Sequence, residues 1–189
     1  MTNDSPERAA SASEGLLSAA LPVRWQHVKA VAAKAEKVGR RISGVDFNAL
    51  VSAAWLHDVG YSPPLKDTGL HALDGARWLA RNGFDRRVAS LVAYHSCARY
   101  ESVERGLDQL LLAEFNQEMS PTADALWYAD MTTGPDGSDL TVENRLAEIA
   151  RRYGPDDPVT RFWKKAEPEL MEAVRRTEAA LARSTDVGA

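Results

Sequence analysis

Four histidines and two aspartates could do chemistry in this sequence: His27, His57, Asp58, His71, His95 and Asp130. His57 and Asp58 stand side by side in "AAWLHDVGYSPP", where an apolar stretch runs into Gly60. An imidazole or carboxylate left unpaired in an apolar setting costs several kcal/mol, so it finds a hydrogen-bond partner, a counter-charge or a metal. Helical spacing indicates which face each residue occupies. Phe47, Leu50, Val51 and Ala54 form an apolar stripe that continues onto His57 and Asp58. Val88, Leu91 and Val92 lead in the same way to His95, and Ala123, Leu126 and Trp127 lead to Asp130. His71 shares a face with Asp74, Gly75 and Trp78, where Gly75 permits close backbone approach. The stripe through Val23, His27, Ala30 and Val31 is interrupted by Arg24.

One buried histidine is more often a hydrogen-bonded core residue than a ligand, and an HD dipeptide alone carries little information. Six such residues ending or interrupting apolar faces are harder to explain as packing, because a core cannot hide that many polar groups cheaply. If they converge, a cation stabilises the cluster. The positions of His57, Asp58 and His95 at helix C-termini also turn negative dipole ends toward it. Cys97 is the one cysteine, which excludes an internal disulfide and a multi-cysteine zinc site, so any metal must use histidine and carboxylate.

The elements that must hold these residues are helices. Ala, Leu, Glu and Arg dominate, β-branched alternation is lacking, and the expectation is an all-α protein. Helices are expected at about 22–40, 46–59, 70–81, 85–96, 100–115, 121–132, 141–153 and 158–182. Asp46 is suited to cap the second, and Asp157 followed by Pro158 gives an N-cap with proline at the first helical position. Gly60, Gly83 and Gly154 are suited to the left-handed residue after a helix, with Pro155 blocking continuation. Residues 1–14 are expected to be disordered, 15–183 to form one helical domain, and 184–189 to fray; neither end is expected to carry chemistry.

The 189 residues fit one domain and suffice for a sizeable core. No apolar run approaches the roughly 18 residues of a membrane span, and "MTNDSPERAASASEG" lacks the basic and apolar regions of a signal peptide. A cytoplasmic protein without a membrane partner is expected. The net charge of −4 argues against a large surface for a nucleic acid duplex while leaving room for a local basic pocket. Oligomeric state is open, a homodimer included.

In order and spacing, His27, "LHDVG", His71, "YHS" and "YADMTTGPDG" resemble the HD superfamily of metal-dependent phosphohydrolases. The resemblance runs from about Pro22 to Asp130 and extends toward "ENRLAEIARRYG". It implies a compact helical HD-domain bundle with a metal site between helices. His27, His57, Asp58 and Asp130 match the minimal one-metal pattern, and His71 and His95 match the extra histidines of the two-metal, HDIG-type branch. By that resemblance Asp58 bridges two divalent ions; His27, His57 and Asp130 complete the first site, and His71 with His95 holds the second. Fe or Mn is preferred by resemblance, while nitrogen and oxygen ligands also suit Mg, Co, Ni or Zn. Tyr61 stands where many two-metal members carry lysine, and no GYP motif follows His95. The paired acidic motif of the alarmone hydrolases is also missing. These departures point away from cyclic dinucleotides and alarmones.

Two ions roughly 3.5–4 Å apart activate water as hydroxide and clamp the oxygens of an in-line phosphoryl transfer. The expected substrate is therefore a small-molecule phosphate ester, with a nucleotide as leading candidate. Catalytic roles fall to Asp58 and His57, and to two cations placed to hold phosphate, Lys66 in "YSPPLKDTG" and Arg99 after His95. Arg24, one turn before His27, ranks third, and all three have ordinary surface charge as the alternative. Asp74 and Asp136 read as cap or turn residues, with support of a ligand histidine as the alternative, and Trp25, Trp55, Trp78 and Trp127 read as core. The alternative function is an HD-type mixed-valent di-iron oxygenase with the same ligand set. A degenerate binding module is disfavoured by the complete set.

Overall fold

Where the sequence reading expected a disordered N-terminus, the chain forms a helix. The computed structural model describes residues 5–154 and 156–186, and α1 spans Pro6–Leu17. Ser5 caps it through the Arg8 N–H at 3.3 Å, and Pro6 occupies the first turn. Ala9, Ser13 and Leu17, spaced four apart, form the buried stripe. Small side chains make that stripe faint in the sequence, yet they allow α1 to lie close against the core.

Next come α2 (Pro22–Gly39), α3 (Phe47–Leu56), α4 (His71–Arg81) and α5 (Arg86–Ala93). They are followed by α6 (Ala98–Glu104), α7 (Asp108–Glu114), α8 (Pro121–Met131), α9 (Val142–Tyr153) and α10 (Pro158–Asp186). Short 3-10 turns cover Val59–Tyr61, Pro63–Leu65 and His95–Cys97. Among the described residues there is no strand, and the expected all-α bundle is the fold. The region expected to be one helix over 100–115 is two, because Gly106 adopts a left-handed φ of 67° between them. The helix expected to reach 96 stops at Ala93, and α10 runs to Asp186, beyond the expected end.

Helix α3 is the axis of the bundle. Leu50, Val51, Ala53, Ala54 and Leu56 are fully buried, and α1, α2, α5 and α8 pack around it. Asp46 caps its start by accepting from the Ala49 N–H at 3.1 Å. On the far side α10 crosses α8 and α6, burying Phe162, Ala166, Leu170 and Ala173. Asp157 caps α10 through the Val159 N–H at 2.8 Å. Gly83 and Gly154 both have the positive φ expected of them, 71° and 82°, but Gly154, with ψ of 168°, is extended and not in the left-handed helical conformation, and Pro155 lies outside the described residues.

Gly60 is a correction. Its φ is not positive; it is needed because α4 approaches so closely that an added Cβ would stand 1.9 Å from the His71 carbonyl oxygen and 2.7 Å from the Gly75 nitrogen. Gly75 is the other half of this contact, as its position on the face with His71 led us to expect. The glycine pair thus sets how near the start of α4 comes to the segment that follows His57 and Asp58.

Candidate metal centre

The six residues converge. One donor atom each from His27, His57 and Asp130 lies within 4.8 Å of the others, and the same holds for Asp58, His71 and His95. All are buried except His71, which is partly so.

Two helix ends use the same device. The last carbonyls of a helix have no partner within it, and at α3 and α5 an imidazole supplies one. His57 donates from Nδ1 to the Ala54 carbonyl at 2.8 Å, and His95 donates from Nδ1 to the Val92 carbonyl at 2.6 Å. With the proton fixed on Nδ1, each Nε2 presents a bare lone pair. His57 Nε2 is fully buried and has no hydrogen-bond partner. It faces Asp58 Oδ2 at 3.5 Å and Asp130 Oδ1 at 3.7 Å. His27 on α2 repeats the pattern by donating from Nδ1 to the Gly134 carbonyl at 2.9 Å while Nε2 lies 3.0 Å from Asp130 Oδ1. In the second group His71 Nε2 and His95 Nε2 face one another at 3.2 Å.

Lone pairs and carboxylate oxygens aimed at one another repel unless a proton or cation stands between them. Ligands bound at about 2.1 Å lie about 3 Å or more from each other, the spacing found here. The residues therefore fit a divalent cation. Asp58 joins the groups, since Oδ2 faces His57 while Oδ1 lies 3.6 Å from His71 Nε2 and 4.0 Å from His95 Nε2.

Protonation follows from this arrangement. Burial holds His57 below its usual pKa, and burial with the neighbouring His95 holds His71 well below it, so both stay neutral and able to bind metal. Burial opposes the charge on His27 too, but Asp130 outweighs it and the pKa rises. Burial likewise disfavours ionised Asp58 and Asp130. Arg24 and the imidazoles reverse this for Asp58, and His57 with His27 does so for Asp130, leaving both carboxyls well below the usual range.

The supports come from several elements. Arg24 pairs with Asp58 Oδ2 and lies 3.6 Å over the Tyr61 ring, which in turn stacks on His71 at 4.0 Å. Ser96 donates to Asp130 Oδ2. Ser96 and Cys97 are consecutive residues with left-handed φ of 45° and 62°, a strain of about 1–3 kcal/mol each, and this turn sets His95 and Ser96 beside α8.

Lys66 and Arg99 lie apart from the six ligands. Lys66 is exposed and does not line the cavity over the ligands, because buried Asp74 gathers the Asp67 and Thr68 N–H groups inward at 3.1 and 2.9 Å. Arg99 points to α10, pairing with Glu169 at 2.9 Å, and also lies outside the cavity. Neither is placed to hold phosphate. Asp136 accepts from the Ser138 N–H at 3.0 Å and is a turn residue. Trp127 is buried in the core, and Trp25, Trp55 and Trp78 pack against it.

The cavity over the ligands is about 210 Å³ and is lined by Arg24, Arg105, Arg145 and Arg152, with Tyr153 and Trp163 toward α10. The last five were missed in the sequence. The available signal was on α9, where Arg145 and Arg152 are seven apart and so share a face. A larger cavity of about 750 Å³, with Lys34, Lys37 and Arg41 in its wall, contains none of the six ligand residues.

The HD domain family model matches residues 24–153. The chain belongs to the HD-domain family. The matched region holds all six candidate ligands together with α9. HD domains bind divalent metals and are mostly metal-dependent phosphohydrolases, which supports a general hydrolase role here. Comparisons with curated proteins and with solved structures gave no match. No described helix is long and apolar enough to cross a membrane.

Proposed function

We propose that this HD domain is a phosphohydrolase that cleaves a small-molecule phosphate ester with two divalent ions. His27, His57 and Asp130 would hold one ion, His71 and His95 would hold the other, and Asp58, whose two oxygens face the two groups, would serve both. The observation that carries this reading is His57 Nε2, a buried nitrogen without a partner, between two carboxylates that also serve the neighbouring histidines. When bound, the ions supply Lewis acidity that makes water nucleophilic at neutral pH and neutralises phosphoryl charge.

The residues of the chain do the rest. Neutral His57 and His71 keep lone pairs available, and the carbonyl bonds of Ala54, Val92 and Gly134 prevent three of the rings from turning. Arg24 and the α9 arginines draw an anionic ester into the cavity. Water then adds to phosphorus, the ester P–O bond breaks, and the alcohol leaves with the proton. Fe or Mn is the expected metal, and a nucleotide the leading substrate candidate.

The test begins with anaerobic purification and elemental analysis. Protein reloaded with Mn²⁺ is then offered a panel of nucleotides and sugar phosphates. Phosphate release without dioxygen uptake is the expected result. Oxygen uptake coupled to substrate loss, seen with iron alone, would replace this reading with the di-iron oxygenase.

A further inference from the structure

A further cavity, about 410 Å³, adjoins the one over the ligands, and four residues line both: Arg24, His27, Arg145 and Arg152. The seam between the two cavities is thus made of three guanidinium groups and one metal-site histidine. Beyond it the wall is apolar, formed by Leu21, Pro22, Val23 and Pro135.

The charges at this seam are not balanced. Arg24 is neutralised by Asp58, but Arg145 and Arg152 share a single carboxylate, Glu148, with Arg145 at 2.6 Å. The three lie on one face of α9, at spacings of three and four residues. The Arg145 side chain is only 12% exposed, and its Nε is buried without any acceptor. A buried guanidinium N–H without a partner is costly, so a site that keeps one has a use for it. Planar forks of this kind match phosphate oxygens two at a time.

We propose that Arg145 and Arg152 bind a second phosphate, so that the substrate class is an organic diphosphate whose scissile terminal phosphate sits at the metal ligands and whose organic group extends over Leu21 and Val23. Water then adds to the terminal phosphorus, the bridging P–O bond breaks, and the organic monophosphate, in place of a simple alcohol, leaves with the proton. The proposal rests on the hydrolase reading for the place of the scissile group. Its own content is the selectivity of α9 for a second anionic group.

Binding separates the two. Orthophosphate and methylenediphosphonate, which resists hydrolysis, are titrated by calorimetry into protein with and without Mn²⁺, with bound metal measured in each sample. Wild type is expected to prefer the diphosphonate. Arg145→Gln and Arg152→Gln should each weaken diphosphonate binding by about tenfold or more while metal content stays unchanged. Arg152 is 41% exposed, so its variant tests the idea even if Arg145→Gln fails to fold. Arg152→Lys keeps the charge and loses the fork, and should recover only part of the loss. Equal binding of the two anions by wild type, or a preference that survives Arg152→Gln, overturns the diphosphate assignment. Absence of bound metal would instead sink the hydrolase reading, leaving the arginine effect to be read in the metal-free titration.

Discussion

The floor of the site and its wall are built in opposite ways. On the floor, backbone fixes the ligands: carbonyls of Ala54, Val92 and Gly134 hold three imidazoles, and the Gly60–Gly75 contact sets the approach of His71. On the wall, Arg145 and Arg152 are held by one another's counter-ion, Glu148, on a single helix. A floor defined by backbone tolerates little change and suits bond-breaking chemistry. A wall of long side chains adjusts, and suits the recognition of an anion.

If that contrast is right, the floor fails all at once. Asp58→Ala should remove most bound metal and lower hydrolysis by about a hundredfold or more, because each carboxylate oxygen serves a different histidine group. Elemental analysis beside a phosphate-release assay checks it. A variant that keeps two metals per chain would show that Asp58 is not the bridge.

Gly60→Ala tests the backbone without replacing a ligand side chain. The new methyl meets the His71 carbonyl and the Gly75 nitrogen, neither of which is the end of a flexible side chain, so α4 must shift. A cost of about 1–3 kcal/mol is expected, together with weaker metal binding at the His71–His95 group. Thermal unfolding and metal titration read the two effects. Unchanged stability would mean that the approach of α4 is looser than the contact implies.

Acidity should weaken the floor further once metal is removed. His57 and His71 have folded pKa values below 6.5, so above about pH 6.5 both are neutral in either state and their contribution is intact. As pH falls from there, the unfolded chain takes up protons that the folded chain refuses, and stability declines toward the folded values. His27, with a raised pKa, works in the opposite sense above 6.5, adding stability as pH falls from its folded value to 6.5 and nothing further below, and it is one residue against two. Urea denaturation of chelated protein should therefore give a lower unfolding free energy near pH 5.5 than near pH 7.5. An equal or higher value at the lower pH would show that His27 dominates.

The same contrast explains what the sequence disclosed. The ligand residues are polar side chains that end apolar stripes, so His57, His95 and Asp130 could be located by helical period alone. The helices that carry them were legible for the same reason. Arg145 and Arg152 belong to a residue type that normally covers surfaces, and only the packing of α9 over the ligands gives them a different role. Helix α1 was hidden by its Ala and Ser stripe, and the turn at Ser96 by left-handed residues that are not glycine. Those features depend on contacts distant in sequence.

The smallest effects belong to the two cations that sequence position favoured. Lys66 and Arg99 follow ligand residues closely in the chain, but Lys66 lies on the outside of the loop and Arg99 pairs across to Glu169 on α10. Charge reversal at either should leave metal content and the Michaelis constant unchanged. Arg99→Glu places two carboxylates face to face at a partly exposed ion pair, with Arg99 44% exposed, and such pairs contribute only about 0.2–1 kcal/mol. A fall in melting temperature of a few degrees at most is expected, with none for Lys66→Glu. A clear rise in the Michaelis constant for either variant would return phosphate binding to the loops and weaken the case for the α9 wall, because the anion would then be held by residues outside the cavity that Arg145 and Arg152 line.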